Sequence, residues 1–157
     1  MTATAHALIG ASIATQIANP LIGLPLAFVS HFLADLIPHW DAGTSHRQKS
    51  SLRLKVESAV DVLLGFTLVY IIFRNLVDPL YLFAMVITAQ LPDWLMTPSW
   101  MFGIKIPPFT WMDYLSHKLQ SRLALPWGLV TQIAIVGLIV AVSLWTTPTG
   151  RALASLI

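Results

Sequence analysis

Five apolar stretches, separated by short polar breaks, dominate the pattern along this chain. They lie at about residues 4–18, 21–37, 54–73, 79–95 and 126–145. A helix that spans a membrane needs roughly 17–25 mostly apolar residues, so the first two stretches are short for a span. The pattern predicts an all-α, polytopic membrane helical bundle of four to five spans. All 157 residues are expected to form a single membrane-embedded domain.

Two longer polar connections carry most of the basic residues. The first, about residues 42–53, includes His46, Arg47 and Lys49. The second, an interfacial segment at about residues 97–125, mixes aromatic and basic residues in the way typical of chain lying at headgroup depth, and includes a predicted helix at about 110–123. If every stretch crosses, both connections and the N-terminus share one side. The positive-inside rule makes that side cytoplasmic.

The composition supports an integral membrane protein. Hydrophobic residues make up 56% and charged residues 10% of the chain, whereas charged residues approach about 25% in soluble domains. The absence of cysteine excludes disulfides and thiolate metal ligands. A net charge of +2 is too small to indicate a nucleic-acid partner, so membrane lipid is the expected partner. The N-terminus lacks a basic region, and we expect no cleaved signal peptide.

The few acidic and histidine side chains are concentrated near the predicted ends of the apolar stretches. The chain has 7 acidic residues and 5 histidines, and such residues are costly in a membrane unless they have a partner or a function. In the predicted topology the clustered ones fall on one side. They are His6, His31, Asp35, His39, Asp41, Asp61, Asp93 and His117.

The spacing of these residues indicates a metal site. Residues four apart share a helix face, which brings His31 and Asp35, and Asp35 and His39, together. Three or four nitrogen and oxygen ligands with an open position are typical of a catalytic metal site. A divalent metal is expected, with zinc first and manganese or iron as alternatives, as one or two ions. Two ions would clamp a phosphoester.

The predicted roles follow from this clustering. The predicted metal ligands are His6, His31, Asp35, His39, Asp61, Asp93 and His117. Asp41 is predicted to be a ligand or a general base. Taken singly, His31 would be a polar contact between helices, and Asp61 or Asp93 a helix cap or an interfacial charge. Taken jointly, the residues favour the metal site.

An internal repeat is a further prediction. The segment from His6 to Gly10 matches the segment from Asp61 to Gly65, with apolar residues at the same offsets. The pattern divides the first part of the chain into two helical hairpins, at about residues 4–41 and 56–95. It pairs His6 with Asp61 and His39 with Asp93, and sites in membrane proteins often lie between such halves. Leucine-rich segments also align by chance, which is the alternative.

The motif His31-Phe-Leu-Ala-Asp35, followed by Pro38-His39-Trp40-Asp41 and preceded by His6, resembles the YdjM-like membrane-bound metal-dependent hydrolases. That family is similar in turn to zinc-dependent phospholipase C and single-strand nucleases. The resemblance implies a helical, metal-dependent hydrolase of phosphoesters in a prokaryotic cytoplasmic membrane. The family's later His-Arg and Thr-His elements correspond here only to His46-Arg47 and Ser116-His117.

The leading functional prediction is a hydrolase that acts on a phosphoester, including a lipid-linked one, at the cytoplasmic membrane face. A non-catalytic assembly factor whose metal only staples the helices is an alternative. A small ion or proton transporter is a second alternative. Transport requires polar residues continuing toward the opposite face, and the apolar middles of the first four stretches offer few beyond Gln16 and Thr88.

Overall fold

The computed structural model describes residues 1–44 and 48–147. The described chain forms six helices: α1 (Ala3–Gln16), α2 (Pro20–Asp35), α3 (Ser51–Phe73), α4 (Pro79–Phe102), α5 (Phe109–Leu119) and α6 (Trp127–Thr146). The all-α prediction is therefore confirmed for this part of the chain. His46 and Arg47 lie outside the described residues.

Three helices are long and apolar enough to cross a membrane: α3, α4 and α6, with 23, 24 and 20 residues. This agrees with the predicted membrane protein. The helices α1 and α2 have 14 and 16 residues and are short for independent spans. The count of four to five spans and the internal repeat stay predictions.

The Asn-Pro and Asp-Pro breaks in the sequence are helix starts. The Asn19 side chain accepts a hydrogen bond from the Leu21 N–H at the start of α2, and the Asp78 side chain accepts one from the Tyr81 N–H at the start of α4. In each case proline follows as the first helical residue, where its missing N–H removes no helical bond. The turns before α2 and α4 lie at the end of the bundle opposite the acidic and histidine cluster.

The boundaries of α3 and α4 differ from the sequence prediction. The helix α4, predicted to end near residue 95, continues through Pro92 and Pro98 and ends where Gly103 adopts a left-handed conformation, with φ of 70°. Proline is tolerated within membrane helices. Asp61 and Asp93 therefore lie inside α3 and α4 rather than at their ends. The last nine residues of α4 extend roughly 14 Å beyond Asp93. The first residues of the segment predicted at 97–125 therefore belong to α4, and the interfacial position of that segment stays a prediction.

The short helix α1, of 14 residues, lies at the centre of the bundle and packs against α2, α3, α4 and α6. Its small residues make this placement feasible, because they let membrane helices approach closely. At Gly10, an added Cβ atom would lie 2.8 Å from the Ala89 Cβ and 2.9 Å from the Met85 carbonyl oxygen. The backbones of α1 and α4 are thus in near contact at this crossing.

The chain after α2 is fixed to the connection between α5 and α6. The His39 N–H donates to the Ser121 carbonyl at 3.0 Å, and the Leu123 N–H donates to the His39 carbonyl at 2.7 Å. The Trp40 N–H donates to the Gly128 carbonyl at 3.2 Å. These bonds hold His39 and the following Asp41 beside Arg122.

Replacing Gly10 by valine should destabilise the bundle, because the new side chain meets the backbone of α4. Overpacking of this kind costs about 1–3 kcal/mol. Gly137→Val is the matched control, since an added Cβ at Gly137 has no atom within 4 Å. Thermal unfolding in detergent should show a lower midpoint for Gly10→Val alone. Equal midpoints for the two variants would contradict the close α1–α4 crossing.

Candidate metal centre

Three helices each contribute one buried side chain to a potential metal-binding group. His6 of α1 and His31 of α2 stack with ring centroids 3.8 Å apart. Asp93 of α4 completes the group, with its Oδ1 3.6 Å from the His31 Nε2. One ligand atom from each residue lies within 4.8 Å of the other two. These three residues, brought together from distant positions in the sequence, could hold a metal ion.

Asp35 lies among the imidazoles, one helical turn after His31. Its Oδ1 is 3.3 Å from the His6 Nε2 and 3.7 Å from the His39 Nε2, and its Oδ2 is 3.5 Å from the His31 Nε2. The Met1 amine also contacts the Asp35 Oδ1. Only 1% of the Asp35 side chain is exposed. The predicted shared face of His31 and Asp35 is thus present in α2. The prediction was wrong for His39, because α2 ends at Asp35 and His39 approaches the Asp35 carboxylate from the non-helical chain that follows.

Backbone carbonyls orient two of the histidines. The Nδ1 of His31 is 2.9 Å from the Ala89 carbonyl oxygen, and the Nδ1 of His39 is 2.7 Å from the Ile37 carbonyl oxygen. Because a carbonyl only accepts, each Nδ1 carries the hydrogen and donates it. Each Nε2 is then left with a lone pair directed at the cluster, the arrangement common in histidines that bind metals.

Several buried polar atoms in the cluster have no hydrogen-bond partner within the described part of the chain. They are both ring nitrogens of His6, the Nε2 atoms of His31 and His39, and the Oδ2 of Asp35. The histidine nitrogens and carboxylate oxygens lie within ion-pair distance of one another, but they do not form hydrogen bonds. Buried polar atoms without partners are costly and rare in folded proteins. A bound cation would satisfy the lone pairs of the two carbonyl-oriented histidines, of Asp35 and of one His6 nitrogen, since the other nitrogen of a neutral imidazole carries hydrogen. These lone pairs are the strongest structural support for a metal site.

Asp41 has its carboxylate oxygens engaged by other groups. Its Oδ1 accepts a hydrogen bond from the Thr44 hydroxyl at 2.8 Å, and its Oδ2 accepts one from the Gln120 amide at 3.0 Å. The Arg122 Nε is 3.5 Å from the same Oδ2. Burial opposes ionisation, but the neighbouring His39 and the charge of Arg122 hold the pKa of Asp41 well below its usual range. A general base works best with a pKa near the working pH, so these contacts favour a positioning role for Asp41.

Asp61 caps α1 from the neighbouring helix α3. Its Oδ2 accepts the Ala3 N–H at 2.6 Å and its Oδ1 accepts the Thr4 N–H at 3.0 Å. A carboxylate is favourable at a helix N-terminus because it satisfies free N–H groups and the helix dipole. The ligand role of Asp61 stays a prediction, and its contacts favour a cap that holds His6 in place.

His117 lies on α5 and contacts Asp113, one turn earlier on the same helix. Its Nδ1 is 2.9 Å from the Asp113 carbonyl oxygen and 3.1 Å from the Asp113 Oδ1. Its side chain is 42% exposed, in contrast to the buried histidines of the cluster. The structure therefore gives His117 a partner other than the cluster.

A cavity of about 530 Å³ adjoins the cluster. Its lining includes the carboxylates of Asp41, Asp61 and Asp93 together with the cations of Lys55 and Arg122. From the sequence, the basic residues were interpreted only as indicators of membrane topology. Lys55 lies six residues, or nearly two helical turns, before Asp61. This short separation was the sequence signal that Lys55 lies at the same end of the bundle as the site.

Loss of a cluster residue should remove metal from the purified protein. We expect near-stoichiometric metal in wild type and about 10-fold or greater loss in His31→Ala and Asp93→Asn, because few ligands would remain. The control His117→Ala should retain its metal. Metal content by mass spectrometry on detergent-purified protein checks this. Metal-free wild type, still empty after reconstitution with zinc, manganese and iron, would contradict the site.

Asp61→Asn distinguishes a cap from a ligand, since it changes one carboxylate oxygen to an amide of similar size. As a cap, it should lower the free energy of unfolding by about 0.5–2 kcal/mol and leave the metal content unchanged. Denaturation and metal analysis on the same preparation provide both readouts. Metal loss as complete as in His31→Ala would show instead that Asp61 is a ligand.

Comparison with protein-family models, with curated proteins and with solved structures gives no significant match for this chain.

Proposed function

We propose that this chain is a membrane-bound, metal-dependent hydrolase that acts on a phosphoester at the membrane surface. The observation that carries the proposal is the convergence of unpartnered, buried His6 and His31 nitrogens beside Asp93, at the edge of a cavity that also contains two cations. A purely structural polar cluster would need neither the unsatisfied atoms nor an adjoining cavity.

The ligand chemistry favours zinc, with manganese or iron as alternatives. Two imidazoles and a carboxylate are a common ligand set for catalytic zinc and leave a fourth position for water or substrate. Asp35 and His39 offer further ligand atoms for a second ion. A divalent ion supplies an electrophile for a phosphoryl oxygen and makes water a better nucleophile near neutral pH.

The residues around the cavity suit a phosphoester. Arg122 and Lys55 supply positive charge for phosphate oxygens, and arginine can bind two of them at once. Asp41 fixes Arg122 by its Oδ2 and lies beside His39, with 3.8 Å between the His39 Nε2 and the same oxygen. Asp41 therefore positions both a phosphate-binding cation and a potential ligand.

In this proposal α1 and α2 are inserted in the membrane together with the three longer helices, so that the chain crosses it five times. The central position of α1, buried by α2, α3, α4 and α6, supports it. The basic residues Lys49, Arg53 and Lys55 lie on the same side as the cluster, and the positive-inside rule places that side in the cytoplasm. On the resemblance noted in the sequence, the membrane is the prokaryotic cytoplasmic membrane.

Turnover of a phosphodiester by the metal-loaded protein tests this function. Wild type, loaded in turn with zinc, manganese and iron, should hydrolyse bis(p-nitrophenyl) phosphate or a lipid phosphoester. Asp93→Asn should lose roughly 100-fold or more of kcat/KM, because a ligand is lost. His117→Ala serves as the control and should retain activity within about twofold of wild type, as expected for a residue away from the chemistry.

A folded, metal-loaded wild type that is no more active than Asp93→Asn on any of these substrates would overturn the hydrolase. If metal removal then lowered the melting temperature, the result would support the alternative of a metal that only staples the helices.

A further inference from the structure

The cavity beside the cluster is bounded by one face of each of two membrane-spanning helices. On α3, Lys55, Ala59 and Val62 line it at intervals of four and three residues. On α4, Asp93 and Thr97 line it at an interval of four. Such spacing defines single helix faces. The principal packing partner of α3 is α1, whereas α4 packs against α1, α2 and α5, so the two faces border a cleft rather than a tight contact.

The cleft opens sideways, toward the surface that a bilayer covers. Leu63 of α3 and Trp94 of α4 line the cavity, yet 66% and 38% of these residues are exposed. Phe66, one turn after Leu63 on α3, packs against Phe83 of α4 with ring centroids 5.8 Å apart, which closes the cleft at that level. We call the gap between Leu63 and Trp94 the lateral opening.

The charged and the apolar side chains lie in different parts of the cavity lining. Lys55 and Arg122 lie in its lining together with Asp41, Asp61 and Asp93, while the lateral opening is flanked by apolar and aromatic side chains. The Lys55 ammonium lies 5.5 Å from the centre of the Phe102 ring, a contact that leaves its hydrogen-bond donors available. A ligand that matches both ends carries an anionic phosphate and a hydrocarbon chain.

We infer that the cavity binds a phosphate-bearing membrane lipid, which enters between α3 and α4. Its phosphate lies at Lys55 and Arg122, next to Asp93, and one hydrocarbon chain leaves through the lateral opening into the bilayer. Lateral entry spares the chain from crossing water, because contact of hydrocarbon with water is unfavourable. The inference names the substrate class of the proposed hydrolase, but lipid binding is measurable without turnover.

Photo-crosslinking tests the binding directly. The protein is reconstituted in vesicles of phosphatidylglycerol that carries a diazirine on one acyl chain close to the glycerol, irradiated, digested and mapped by mass spectrometry. Labels should concentrate at residues 62–63 of α3 and 94–97 of α4. Lys55→Gln should reduce this labelling about fivefold or more, since the phosphate loses a charged hydrogen-bond donor.

Two tryptophan substitutions separate the lateral opening from the general lipid-facing surface. Leu63→Trp should narrow the opening and reduce labelling at least about fivefold. Leu64→Trp, on the neighbouring exposed position outside the cavity lining, should label like wild type. Uniform labelling around the bundle, or labelling unaffected by Leu63→Trp and Lys55→Gln, would overturn lipid entry at this place.

The same variants distinguish failure of the inference from failure of the hydrolase. If wild type hydrolyses a soluble phosphodiester but the opening is unlabelled, the result contradicts lateral lipid entry and supports the hydrolase. If labelling depends on Leu63 and Lys55 but neither soluble nor lipid phosphoesters are turned over, the result supports lipid binding and contradicts the hydrolase. Where both occur, Leu63→Trp should lower the ratio of lipid to soluble turnover about fivefold.

Discussion

Burial of several imidazoles and carboxylates inside an apolar bundle is the constraint on which the rest of this structure depends. Asp35, with 1% of its side chain exposed, stands within 3.7 Å of nitrogen atoms from three histidines. Removing such groups from water without partners costs several kcal/mol each. The surrounding helices are arranged around these groups: α1 carries His6 to the centre, Asp61 caps α1, and carbonyls of Ile37 and Ala89 orient the other rings.

The close approach of α1 to its neighbours links the fold to the site. Because Gly10 allows α1 and α4 into near contact, His6 and Asp93 can reach the same point from different helices. The connection between α5 and α6 adds the polar wall, since its backbone bonds to His39 bring Arg122 to Asp41. The result is a cavity that Asp41, Asp61, Asp93, Lys55 and Arg122 all line.

Much of this arrangement follows from local sequence signals. Apolar length located the helices, and the four-residue spacing from His31 to Asp35 correctly placed both on one face. Tertiary contacts determine what the sequence pattern missed. The helix α4 continues through Pro92 and Pro98, the oxygens of Asp61 accept N–H groups of α1, and Lys55 and Arg122 meet across a cavity built from distant segments. No local pattern encodes these long-range pairings.

X-ray absorption spectroscopy of the purified, zinc-loaded protein would examine the metal centre at the level of individual bonds. We expect a zinc ion with at least two imidazole nitrogens at about 2.0–2.1 Å and oxygen ligands at about 2.0–2.2 Å. Loss of the imidazole scattering in the variant lacking both His6 and His31 would assign those nitrogens. A spectrum of oxygen ligands only, unchanged in that variant, would show that the buried cluster holds no metal.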